Sequence, residues 1–173
     1  MIVFKRASVR DLQKITLAVM CLKGSPECIT TDEMQDYIDR CYYCEDTETH
    51  NIVAIIVAAR ITLDYPSLVE GEVITTYPNK YQIKYALFDT QAIKDAGEDV
   101  EKVLSCMIRE LTADMNDWSV MVDPESLASF NFTSDKEESL KCLKKALENN
   151  SFKLAVNRTG MYRLMPIDFN RMY

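Results

Sequence analysis

Histidine and tryptophan each occur once in these 173 residues, and glycine four times. The lone His50 would have to serve any Ser-His-Asp or Cys-His catalyst. It sits in the polar, acid-flanked stretch "CEDTETHN", the setting of a solvated loop side chain, so nucleophilic hydrolysis is set aside. A run of ~18 apolar residues is missing, which excludes a membrane-spanning helix. The opening "MIVFKRASVRD" lacks the apolar core and small-residue cleavage site of a secretory signal, so a soluble, cytoplasmic protein is expected. A basic excess is missing too: 27 acids against 20 bases give a net charge of −7. Wrapping nucleic acid needs a basic face for counterion release, so nucleic acid is not an expected partner. An acidic decoy of nucleic acid would cluster its carboxylates, whereas "SDKEESLKCLKKALE" interleaves both signs as a solvated helix face does.

What is present is a hydrophobic fraction of 47%, enough for a core, with no Pro/Ser-rich linker or repeat to divide it. Residues 1–173 are expected to form one domain. Six cysteines, without a signal segment, are expected to be reduced. The pair Cys41 and Cys44 in "CYYC" has half the spacing of a zinc site. No second Cys-x-x-Cys or His-x-x-x-His completes it, so no metal is expected. The i, i+3 spacing also suits one face of a helix end, with buried thiols.

The pass along the chain begins with a strand at Ile2 to Lys5. Ser8 and Asp11 form a capping box for a helix with Leu12, Ile15, Val19 and Leu22 inward, stopped by "KGSP". A second helix starts at Thr30 and carries Met34, Tyr37, Ile38 and Cys41 as its stripe. Asn51 to Ile61 reads as a strand buried on both faces. Leu68 to Tyr77 and Tyr81 to Asp89 alternate across a "PNK" turn, which makes a three-stranded antiparallel meander the economical reading. Val100, Val103, Leu104, Met107, Ile108 and Leu111 define the clearest amphipathic helix. Trp118 to Asp123 is a strand expected parallel to the strand before that helix, through a right-handed crossover. A loop from Asp123 to Ser134 leads to a charged helix capped at Ser134 or Asp135, with Leu140, Leu143 and Leu147 inward. A closing hairpin turns at "NRTG". The expected class is α+β: a mixed, mostly antiparallel sheet of about seven strands flanked by four helices.

This order, β-α-α-β-β-β-α-β-α-β-β, resembles the GNAT superfamily of N-acetyltransferases across nearly the whole chain. Locally, "FKRASVRDLQKITLAV" looks like that family's opening strand and helix. "ENNSFKLAVNRTGMYRLM" looks like its closing helix and hairpin, with Ser151-Phe152 at the usual Gly-Phe step. The resemblance implies acetyl-CoA as cofactor and an amine as acceptor, the pantetheine arm pairing with the exposed amides of the fourth strand, here Tyr81 to Asp89. It also implies a pyrophosphate on the loop that follows, with Phe88, Lys94, Ala96, Gly97 and Glu98 at the cofactor-binding positions. A general base would be Glu72 or Asp89. The tyrosine acid usual in the last helix aligns with Leu147, and Tyr162, or Tyr81 and Tyr85, would stand in for it. The closing hairpin often pairs between subunits in that family, which raises a homodimer as an expectation.

The loop departs from the family's pattern, which carries a second glycine. Glu98 or Asp99 would face the incoming anion, each unfavourable by on the order of 1 kcal/mol even when solvated. The same acids complement the dipole of an ordinary helix start. Two readings follow: an acetyl-CoA-dependent N-acetyltransferase with a divergent loop, or a catalytically inactive domain of that fold, of a kind known in bacteriophages, acting on a protein partner as an interaction, inhibitor or assembly protein.

Overall fold

The computed structural model describes residues 1–23, 30–76, 80–113, 115, 119–129, 131, 135–155 and 160–165. Most of the "KGSP" stop and of the "PNK" and "NRTG" turns, with Cys28, Trp118 and Ser134, lies outside the described residues.

Strand β1 (Ile2–Arg6) leads into a 3-10 turn and helix α1 (Leu12–Lys23). The capping box forms as read: the Asp11 carboxylate accepts from the Ser8 N–H at 2.9 Å. Helix α2 (Thr31–Gln35) starts on Thr30, whose hydroxyl accepts from the Glu33 N–H. It stops well before Cys41. A 3-10 turn at Ile38–Arg40 intervenes, and β2 (Cys41–Asp46) begins there. The expected helix end at Cys41 and Cys44 is therefore a strand. The stripe Met34, Tyr37, Ile38, Cys41 mimicked a helical period because the turn and the strand each present an apolar residue to the same layer.

Strand β3 (Ile52–Arg60) pairs antiparallel with β2 and directly with β6 (Lys80–Phe88), from Ala54 opposite Phe88 to Arg60 opposite Tyr81. The expected meander is thus replaced. Its middle strand leaves the sheet, and Leu63–Pro66 (β4) and Val73–Thr76 (β5) form a separate two-stranded ribbon. Pro66 has no N–H for a ladder, and Asp64 does not suit a central strand. Helices α3 (Thr90–Asp95) and α4 (Val100–Thr112) follow, then β7 (Ser119–Val122), α5 (Pro124–Ser129), α6 (Lys136–Asn149), β8 (Lys153–Leu154) and β9 (Tyr162–Leu164). The four expected helices form, and α3 and α5 are added. Of the two expected caps, Asp135 caps α6, accepting from the Glu138 N–H at 2.9 Å.

The main sheet is α+β in class and seven-stranded, in the order β1-β2-β3-β6-β7-β9-β8. Among the described residues, only β6 and β7 pair parallel, as expected for a crossover through α4. Alternation along the central strands feeds two cores. Ala54, Ile56, Ala86 and Phe88 face the layer of α4 and α6, where Val100, Val103, Leu104, Met107, Ile108 and Leu111 are all buried. Ile55, Val57 and Leu87 face α1 and α2 with Ile15, Val19 and Met34. Cys44 belongs to the first core and Cys41 to the second, so the pair points to opposite faces and its thiols do not converge on one ion. Burial pushes both thiols up to about 12.

Candidate functional site

The site is built where a strand pair comes apart. β6 and β7 share three parallel positions, Lys80 with Ser119, Tyr81 with Val120 and Gln82 with Met121. β7 then ends at Val122 while β6 runs on to Phe88. The divergence coincides with an irregularity on the other side of β6. The register against β3 passes from Tyr85–Val57 to Ile83–Ala58, which leaves Lys84 as an extra residue. Such a bulge increases local twist and re-aims side chains, and bulges concentrate beside active sites.

The opening holds a cavity of about 350 Å³, lined by Lys23, Lys84, Tyr85, Asp123 and Ser126 among others. The Lys23 ammonium lies 5.6 Å from the centroid of the Tyr85 ring. Burial, then Tyr37 and Glu33, push the Tyr85 phenol above its ordinary range. Tyr85 is thus a neutral hydroxyl beside a cation in a half-enclosed space. Tyr85 therefore keeps its proton at neutral pH.

Further along β6 the gap is filled from within the chain. Asp123 starts α5 as an N-cap, its carboxylate accepting from the Ser126 N–H at 3.3 Å, with Pro124 at the first helical position. Past α5, Asn131 is 1% exposed and turns its carboxamide onto β6. Its Oδ1 accepts from the Phe88 N–H at 2.8 Å, and its Nδ2 donates to the Ala86 C=O at 3.1 Å and the Leu127 C=O at 3.3 Å. Leaving that buried N–H and C=O of β6 unpaired would cost on the order of 1–3 kcal/mol each. No reading of the sequence singled out Asn131. The helix-start signature Asp-Pro-Glu at 123–125 was available to place α5 within the expected loop.

The sequence-derived residues do not converge on one point. Glu72 is exposed on the ribbon between β4 and β5, its N–H bonded to the Val69 C=O. Asp89 caps α3, accepting from the Ala92 N–H at 3.0 Å, and borders a separate cavity of about 490 Å³ with Lys14, Cys21 and His50. Tyr162 is buried on β9, and burial and the Glu148 carboxylate push its phenol up. Leu147 is fully buried.

Of the expected cofactor positions, Phe88 is buried with its N–H on Asn131, and Lys94 forms an ion pair with Glu138 at 2.5 Å, tying α3 to α6. The Ala96 N–H bonds to the Ala92 C=O, the Gly97 N–H to the Lys94 C=O and the Glu98 N–H to the Ile93 C=O. Gly97 adopts φ +78°, the left-handed conformation that ends α3. These amides therefore close a helix C-terminus. The stretch Thr90 to Asp95, expected as loop, is what supplies their acceptors.

No protein-family model and no curated protein matches the chain. Solved structures do. Ard1 from Thermoplasma volcanium is 13% identical, with 94% of each chain covered and a TM-score of 0.50. An N-acetyltransferase from Staphylococcus aureus Mu50 is 15% identical over 95% of this chain and 96% of that one, at a TM-score of 0.49. The loading GNATL domain of CurA from Lyngbya majuscula is 17% identical at a TM-score of 0.47. The match covers 70% of this chain and only 64% of that one. At such identities the likeness is one of overall fold. The chain has the fold of the GNAT N-acetyltransferases.

Proposed function

We propose that this protein keeps the acetyltransferase fold without acetyl transfer and works on a protein partner through its surface. One observation carries the reading: the Ala96, Gly97 and Glu98 amides are spent on the carbonyls of α3. A diphosphate bound at a helix start needs amides that point at it and a positive end of the dipole. The free amides nearest this corner open α4, where Glu98 and Asp99 are exposed and Glu101 occupies the first turn. The residues present do not fit the pyrophosphate of acetyl-CoA. The lack of a tyrosine at Leu147 is consistent with this, because a fully buried leucine holds no proton for a leaving thiolate.

The second reading is acetyl-CoA-dependent transfer to an amine. It is favoured by the parallel pair that opens after Gln82, the Lys84 bulge, and the cavity that brings Tyr85, Lys23 and Asp123 together. In that reading, binding and orientation of the amine fall to these residues rather than to Glu72, Asp89 or Tyr162. The chemistry supplied by acetyl-CoA would be the activated thioester.

Calorimetry with acetyl-CoA separates the two. The expected outcome is no heat of binding up to millimolar ligand. Micromolar binding that is lost in Gly97→Glu would place the cofactor at the α3–α4 corner and overturn the non-transfer reading.

A further inference from the structure

The pattern of the Asn131 bonds carries information beyond their number. In a parallel ladder, a residue accepts from the N–H of one strand position and donates to the C=O two positions before it. The carboxamide of Asn131 does this around Leu87: it accepts from Phe88 and donates to Ala86. It thus continues, with a side-chain amide, the parallel ladder that β7 abandons at Met121. The imitation is secured from behind. Its third bond goes to the Leu127 C=O of α5, and the ammonium of Lys136, at the start of α6, reaches the Asn131 main-chain carbonyl. Leu127 and Ala128 of α5 are buried, and Leu127 also lines the cleft. Among the described residues, no buried side-chain polar atom lacks a partner, so the arrangement is closed.

We propose that Asn131, delivered by α5, is a built-in plug of the β6 edge: a side-chain amide held where an extended amide-bearing ligand would pair, so that such a ligand enters only when Asn131 leaves. The inference goes beyond the non-transfer reading and does not depend on it, since it supplies a second closure of the cleft built from other residues. The two closures are separable chemically. The α3–α4 corner concerns a diphosphate, and the plug concerns only an amide.

Pantetheine carries the amides without the diphosphate and is therefore the probe. Its binding to the full chain is followed by NMR titration in the parent, in Asn131→Ala and in Asn131→Asp, with exchange of the Phe88 amide measured in each. In Asn131→Ala, we expect the Phe88 amide to exchange at least about tenfold faster and pantetheine to bind at least about tenfold more tightly than to the parent. Asn131→Asp retains the acceptor for Phe88 and loses both donations, so it should fall between. It also serves as the test if the alanine variant does not fold. The plug is overturned if pantetheine binds the parent without disturbing the Asn131 side-chain resonances, or if a folded variant gains no affinity. Acetyl-CoA binding to the parent that displaces those resonances would sink the non-transfer reading and leave the plug standing. Binding that leaves them unmoved would sink both.

Discussion

Glu45 brings a carboxylate to the seam between β1, β2 and α1, with its side chain 10% exposed. It accepts from the Lys5 ammonium at 3.1 Å and the Lys14 ammonium at 2.9 Å. The Lys14 hydrogen bond, more than the opposing effect of burial, holds its pKa below the usual glutamate range. A carboxyl depressed on folding stabilises the protein above its unfolded value, about 4.3, and that contribution is lost as pH falls through the folded value. Both lysines keep nearly half their surface in water and do not become buried unpaired charges when the glutamate is replaced. Glu45→Gln should therefore destabilise by only about 1 kcal/mol at pH 7. Urea unfolding at pH 7 and again at pH 3.5 checks this. The gap between parent and variant should narrow at the lower pH, and a gap that widens would mean the carboxylate is not the stabilising form.

At the scale of elements, the β4–β5 ribbon is the feature most separable from the rest. The Ile61 N–H bonds to the Lys80 C=O at 2.9 Å, so β3 and β6 already meet at the ribbon's base. Leu63, Tyr65, Val73 and Ile74 are exposed on it and contribute nothing to either core. Replacing Leu63–Thr76 with a short Gly/Ser turn should leave Tm within about 4 °C of the parent, roughly 1 kcal/mol for a chain of this size. Loss of cooperative unfolding in calorimetry would show instead that the ribbon braces the sheet.

The same scale explains what was legible in the residues. Helix α4 was readable because six apolar residues at helical spacing leave only one face to bury. Strand β2 was misplaced. "CYYCED" is buried on both sides and carries two acids, so it lacks strict alternation, while Cys41 and Cys44 stand at the i, i+3 spacing of a helix face. The ribbon alternates well but lies outside the sheet, because alternation reports a half-buried strand and not its partner. The plug was beyond reach for another reason. Asn131 meets its donor, Phe88, and its acceptor, Ala86, 43 and 45 positions away, and no local pattern encodes a contact of that span.

Taken as a whole, the molecule is a seven-stranded sheet with a core on each face and the β4–β5 ribbon beside it, and its central strands belong to both cores. Ile55, Val57 and Leu87 alternate with Ala54, Ile56 and Phe88 along the same backbone, so neither core survives once β3 and β6 separate. Unfolding should accordingly be a single transition in which damage to either face lowers one shared midpoint. Ile15, fully buried against α2, and Ile108, buried beneath α6, sample the two faces. Ile15→Val and Ile108→Val should each cost about 0.5–1.5 kcal/mol by loss of one buried methyl group. They share no core cluster, so the double variant should show the sum to within about 0.5 kcal/mol. Calorimetric scans of the parent, both single variants and the double variant decide the matter. Two resolved transitions, or a double variant no less stable than the weaker single one, would mean that the faces unfold separately and that α5 and its plug sit on only one of two units.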